Sequence, residues 1–287
     1  MKKLMTVIAV LAAATLGAKA SVLFDGATDA VYKATGDSVN VTLSEPTAGN
    51  WVLSGSVADD TRSYIFGNLN SATTLATGET LKLAFRINNL PNASNQPLSM
   101  VLTGSRGIAL TTTDVAALDS FAGSYAGLKT SQYMNTAVNA VRFADASARP
   151  AGNTTVDNNL LFLGKVNTSM GQFNTLTGND RFDSGRTADL AMTVSHDGTA
   201  WTIGYTLSMV GGTGPQSFTS TASTPSSNDF MLTDAFTTFA IGFEGGLDNG
   251  SAMAVSDVSI TYIPEPGTLS MLLGAGGLMA LRRRRRA

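Results

Sequence analysis

Ala188-Asp189-Leu190-Ala191-Met192-Thr193-Val194-Ser195-His196-Asp197-Gly198-Thr199-Ala200-Trp201-Thr202-Ile203-Gly204-Tyr205-Thr206-Leu207 is the stretch from which the fold can be read. Leu190, Met192 and Val194 alternate with polar or small residues before Asp197-Gly198. Trp201, Ile203, Tyr205 and Leu207 alternate after it. A period of two sends successive side chains to opposite faces, so each arm buries one face and wets the other. Asp-Gly is a preferred two-residue hairpin turn, because both central positions tolerate positive φ. The stretch therefore predicts a long antiparallel hairpin turning at Asp197-Gly198, with Trp201 and Tyr205 packed in the core.

The same period recurs on both sides of this hairpin. Leu81, Leu83, Phe85 and Ile87 share one face of a strand that carries Lys82 and Arg86 on the other, and Asn88-Asn89 and Pro91-Asn92 close it with turn chemistry. Val39-Asn40-Val41-Thr42-Leu43 alternates in the same way. Residues 98–102 and 108–110 continue the strand pattern, interrupted at Gly104 and Gly107, and Val141-Arg142-Phe143 and residues 160–166 resume it. Between these, residues 114–139 are the least patterned. Val115-Ala116-Ala117-Leu118 and residues 134–138 suit short helical turns, while Gly123 and Gly127 argue against one long helix. The expectation there is a long excursion holding one short helix. Residues 211–228 are too rich in Gly, Ser and Thr to be a core strand throughout. Residues 236–243 and 253–262 give two final strands, the last alternating at Val258, Ile260 and Tyr262. No repeat of solenoid or propeller period occurs. Many short strands with almost no helix predict an all-β fold, an antiparallel β-sandwich closed by jelly-roll connections.

The chain has 287 residues and no cysteine, which excludes thiol catalysis, zinc fingers and iron–sulfur sites. Its termini distort the charge balance. Without Lys2, Lys3, Lys19, Arg282–Arg286 and Glu265, residues 21–263 hold 11 basic and 20 acidic side chains, a net charge near −9. An acidic, charge-poor, Thr/Ser/Gly/Asn-rich body has no electrostatic footprint for nucleic acid.

Catalytic sets are missing as well. His196 is the single histidine, and in an extended arm its neighbours Ser195 and Asp197 point to the face opposite its own, so the three cannot form a triad. Histidine-based metal sites need more ligands than one. Asn179-Asp180-Arg181-Phe182-Asp183 and Asp248-Asn249 supply oxygen ligands in loops, but neither has the regular Asp-x-Asp-x-Asp-Gly spacing. Turn capping explains them better than calcium, and no cofactor is expected. Trp51, Tyr64, Tyr125 and Tyr133 are the candidates for stacking on sugar rings if they line a concave face.

The body resembles the concanavalin A-like group of lectins and glucanases. The likeness lies in Asp197-Gly198-Thr199-Ala200-Trp201, Phe239-Ala240-Ile241-Gly242-Phe243 and Val255-Ser256-Asp257-Val258-Ser259-Ile260, within residues 161–263. It implies a jelly roll able to contact polysaccharide. Glycosidases of that group carry paired acids in a Glu-x-Asp-x-x-Glu pattern or a close variant. This chain has none: Asp59-Asp60 would place its carboxylates on opposite faces, and Glu244 precedes Gly245-Gly246 in a turn. The expectation is a protein that is not an enzyme, with a divergent polysaccharide hydrolase or lyase as one alternative and a purely structural, glycosylated surface protein as another.

The two ends are addresses. Lys2 and Lys3 precede an apolar run over residues 4–16, and Ala18-Lys19-Ala20 places small residues where a signal peptidase reads, predicting a signal peptide over residues 1–20 cleaved before Ser21. At the other end Pro264-Glu265-Pro266 is followed by an uncharged apolar segment, residues 269–281, and then by Arg282, Arg283, Arg284, Arg285 and Arg286. The prolines fix φ and lack N–H donors, so they stop a strand and hold an extended peptide. The arginines set orientation by the positive-inside rule. A bilayer core of about 30 Å needs roughly 20 apolar residues. The segment falls short of that, and Gly274, Gly276 and Gly277 weaken it as a permanent helix. Residues 264–287 resemble the PEP-CTERM sorting signal of Gram-negative bacteria. The resemblance implies a short transmembrane sorting helix, recognition by an exosortase acting at Pro264-Glu265-Pro266, and export of the body, residues 21–263, as one domain beyond the inner membrane. A matrix rich in exopolysaccharide is the implied setting.

Overall fold

The alternation in sequence becomes alternation in burial. In β6 (Thr80–Asn88), β11 (Ala188–His196) and β12 (Trp201–Met209) every second side chain is covered and those between are half exposed. These three strands pair in continuous antiparallel register, Leu190 facing both Phe85 and Leu207. The computed structural model describes residues 20–35, 41–55, 63–90, 97–105, 125–133, 140–147, 163–172, 185–221, 230–243 and 252–265.

Two antiparallel sheets stack as a sandwich. The first runs β13 (Gln216–Thr221), β12, β11, β6, β15 (Ala252–Ile263), β4 (Asn50–Gly55) and β3 (Val41–Thr47), with β1 (Ser21–Asp25) beside the later half of β15. The second runs β10 (Leu163–Gln172), β9 (Ala140–Ser147), β8 (Tyr125–Tyr133), β7 (Pro97–Ser105), β14 (Phe236–Phe243), β5 (Ser63–Thr73) and β2 (Tyr32–Thr35). Strands distant in sequence lie side by side, β6 with β15 and β5 with β14, so the chain crosses repeatedly between sheets in jelly-roll fashion. Among the described residues there is no helix.

Aromatic contacts join the layers. Phe24 of β1 meets Phe239 of β14 edge-on, with ring centroids 4.6 Å apart. Gly67 makes room for this pair, since a Cβ there would stand 2.6 Å from Phe239 and 2.8 Å from Phe24. Trp201 stacks on Phe230 and meets Phe236 edge-on, while its indole N–H donates to the Phe230 carbonyl at 3.0 Å. Fully burying one such ring stabilises the fold by about 3 kcal/mol, and a buried indole N–H keeps that gain only if it is paired.

Two expectations change. The hairpin register pairs His196 with Trp201, so four residues connect the arms and the centre falls at Gly198-Thr199. Gly198 has φ +95°, but Asp197 is not in the left-handed region that a two-residue Asp-Gly turn requires. Asp197 caps the loop instead: its Oδ1 accepts from the Thr199 N–H, the Thr199 hydroxyl and the Ala200 N–H. Next, residues 125–133 within the expected helical excursion form strand β8, paired along its whole length with β7. Residues 115–118 and 134–138 lie outside the described residues. Residues 211–228, too polar to be a core strand throughout, contain an edge strand, β13, beside β12.

The last strand also holds a bulge. Met253 and Val255 point inward from odd positions, Val258 and Ile260 from even ones. The phase changes at Asp257, φ +55°, where the register with β6 slips between Ser256 and Ser259. One extra residue there keeps both halves of β15 facing the same core. The halves then take different neighbours, β4 before the bulge and β1 after it.

Candidate functional site

The end of β15 is where the body meets the C-terminal tripeptide. Ile263 pairs with Thr80 as the last ladder residue, and Tyr262 lies between Ser21 of β1 and Leu81 of β6. Pro264 is half buried and Glu265 exposed. No linker separates strand from tripeptide.

Past Ile263 the chain runs along the turn that begins β6. Gly78, at φ +86°, lies under the Glu265 side chain, and a Cβ there would stand 2.8 Å from Glu265 Cδ. The Tyr262 hydroxyl donates to Glu79 Oε1, and Glu79 Oε2 accepts from the Ala76 N–H at 2.6 Å. The carboxylate pushes the Tyr262 phenol up to about 12, because the hydrogen bond favours its protonated form.

His196 supports this turn from below. Its Nδ1 accepts from the Gly198 N–H at 3.1 Å, so the proton sits on Nε2, 2.8 Å from the Leu75 carbonyl that accepts it. Its own carbonyl accepts from the Gly78 N–H at 3.0 Å. The imidazole is buried edge-on against Trp201. Both ring nitrogens are occupied, and the role is structural. Nearby Asp197 is held down to about 2 by its Thr199 and Ala200 hydrogen bonds.

Two of the four expected sugar-stacking residues, Trp51 and Tyr64, do not line an open face. Trp51 is 3% exposed and Tyr64 fully buried. Trp51 lies beneath Gly26, whose absent side chain leaves the ring its space. Tyr64 sits on the far face of the second sheet, in a row with Gly242 and Ser99 that is closed to solvent. Period-two reasoning could not separate a wet aromatic from one covered on that face. The side chains of Tyr125 and Tyr133 lie outside the described residues, as do Asp59, Asp60, Glu244, residues 179–183, Asp248 and Asn249. Among the described residues no three His, Asp or Glu side chains gather as a metal site would require.

The outer face of the first sheet is hydroxyl-bearing. Thr42 and Ser54 hydroxyls lie 3.0 Å apart across β3 and β4, and Thr206 and Ser217 hydroxyls 3.2 Å apart across β12 and β13. Arg86 grips Asp189 with two hydrogen bonds, 2.7 and 3.0 Å, which raise the arginine's already high pKa.

Ala18, Pro266 and Arg282, Arg283, Arg284, Arg285 and Arg286 lie outside the described residues, whereas Ala20, Ser21, Pro264 and Glu265 lie within them. No helix among the described residues is long and apolar enough to cross a membrane.

No protein-family model matches the chain, and no curated protein does. Solved structures similar to it include lectin II from Ulex europaeus, at 11% identity and TM-score 0.44 over 86% of this chain and 98% of that one. Arcelin-5, a lectin-like defence protein from Phaseolus vulgaris, gives 12% and 0.47 over 85% and 99%. Peanut lectin gives 10% and 0.46 over 85% and 97%. Values this low transfer neither ligand nor site.

Proposed function

We propose that this chain is an exported envelope or extracellular-matrix protein of a Gram-negative bacterium, sorted by an exosortase and without catalytic activity of its own. The observation that carries the reading is the ordered tail: Pro264-Glu265-Pro266, an uncharged segment too short for a permanent span, then five arginines. Its position at the end of the last strand supports it, because a processing enzyme would leave the sandwich whole. At the other end β1 starts at Ser21, the residue that signal peptidase would leave first. On this reading signal peptidase and the exosortase are the processing partners, and the precursor is held at the inner membrane before its transfer to the cell surface or matrix.

Replacing Pro264, Glu265 and Pro266 together by alanine should leave the body folded and strand it as a membrane-held precursor. Immunoblots of membrane and surface fractions, beside a strain lacking exosortase, read this directly; normal maturation of the alanine variant would sink the proposal.

A second reading, contact with exopolysaccharide, draws on the hydroxyl-bearing outer face of the first sheet, whose Thr and Ser side chains match the donor and acceptor chemistry of a polyol. Co-sedimentation of the mature protein with host exopolysaccharide tests it. Absence of binding leaves a structural role alone.

A further inference from the structure

The last residues of β15 carry more than strand pairing. Tyr262 reaches Glu79 across 183 positions of sequence, and both oxygens of that carboxylate are engaged. The turn bearing Glu79 is pinned from within by the Glu79 N–H to Ala76 carbonyl bond, and from below by the Gly78 N–H on His196. Gly78 then leaves the space in which the Glu265 side chain lies, since a Cβ there would stand 2.8 Å from Glu265 Cδ and press that side chain away. Packing alone needs none of this, since an apolar residue at 79 would cover Tyr262 without a carboxylate placed to accept its hydrogen bond.

An enzyme that cuts a peptide must first hold it extended with its backbone N–H and C=O groups free to pair. Here Tyr262 and Ile263 are committed to the ladders and Glu265 lies on Gly78. Cleavage beside them requires the end of β15 to lift, and when such openings close faster than cleavage, its rate follows the population of the open form. We infer that Tyr262, Glu79 and Gly78 form a latch that keeps the junction docked, and that opening of this latch sets how fast a processing enzyme reaches the tripeptide. The inference rests on reading the tail as a sorting signal.

Tyr262→Phe removes one hydroxyl and leaves the ring packed. In the full chain it should speed amide exchange at residues 261–263 and 265 by about five-fold, the central value for the net contribution of an ordinary hydrogen bond. Exchange in β11 and β12 should not change, and pulse-chase conversion of precursor to mature protein should accelerate by a similar factor. Glu79→Ala is the second variant should the first fail to fold. Unchanged exchange overturns the latch. Faster exchange with unchanged or slower conversion overturns its control of processing. Exchange needs no exosortase, so it tests the latch separately from the sorting signal, which fails by itself if the triple-alanine tail matures normally.

Discussion

The two sheets obey different rules. In the first, β6, β11 and β12 bury one face and wet the other. In the second, the central strands β5, β7 and β14 are closed on both faces: Ile65, Met100 and Ile241 point to the shared core, while Tyr64, Phe66, Val101 and Ala240 are equally hidden on the far side. Polar residues are caught in that closure. Ser99, Thr103 and Thr238 are fully buried, Thr238 donating to Asn68 Oδ1 at 3.2 Å. The lesson concerns function as much as stability. A jelly roll that held sugar across the middle of its second sheet would keep that face open; here the open, hydroxyl-bearing surface belongs to the first sheet.

The comparison can be broken by paired substitutions. Phe66→Ala, on the far face of the second sheet and beside Tyr32 at 5.5 Å, should lose about 3–5 kcal/mol in denaturant unfolding. Thr206→Ala, on the corresponding face of the first sheet, should stay within about 0.5 kcal/mol. Equal effects would mean that the faces do not differ in burial.

Glycines sharpen the contrast. A Cβ on Gly104 in β7 would stand 2.1 Å from the Ala235 carbonyl oxygen, which is backbone and cannot step aside. Gly104→Ala should therefore cost about 2–3 kcal/mol. At Gly204 in β12 the obstacle is the Thr193 hydroxyl at 2.4 Å, a side chain free to rotate, and Gly204→Ala should cost under about 1 kcal/mol in the same measurement. Smaller again is Arg86→Ala. Its pair with Asp189 is 40% and 47% exposed, so the loss should be at most about 1 kcal/mol and should shrink in salt.

The smallest effect belongs to the junction. Tyr262 has a raised phenol pKa in the folded state, so its contribution is complete below the unfolded value near 10 and fades as pH climbs through about 12. Wild type should lose slightly more stability than Tyr262→Phe across that window. Parallel alkaline melts of the two proteins measure the difference.

Legibility followed the same division. The hairpin, β6 and the first sheet's inner face were readable because a half-buried strand writes its burial as period two. Strand β5 opens with Tyr64-Ile65-Phe66, and β7 holds Met100-Val101-Leu102. A strand covered on both faces loses its alternation, so neither β5 nor the burial of Tyr64 is legible in the sequence. Strand β8 has no sustained alternation of apolar and polar residues to announce it, and its neighbour β7 supplies the pairing that makes it a strand. The bulge at Asp257 did leave a trace, the shift of inward positions from 253 and 255 to 258 and 260.

By itself the sequence determined what depends on neighbours a few residues away: the alternating strands, the all-β class, and the composition of the two termini. Tertiary structure alone decided which face of the second sheet is closed, that His196 spends both ring nitrogens on supporting a turn, and that Tyr262 meets Glu79 beside the tripeptide. His196 meets the Leu75 carbonyl 121 positions away and Tyr262 meets Glu79 at 183, and only long-range pairing brings such groups within hydrogen-bonding distance.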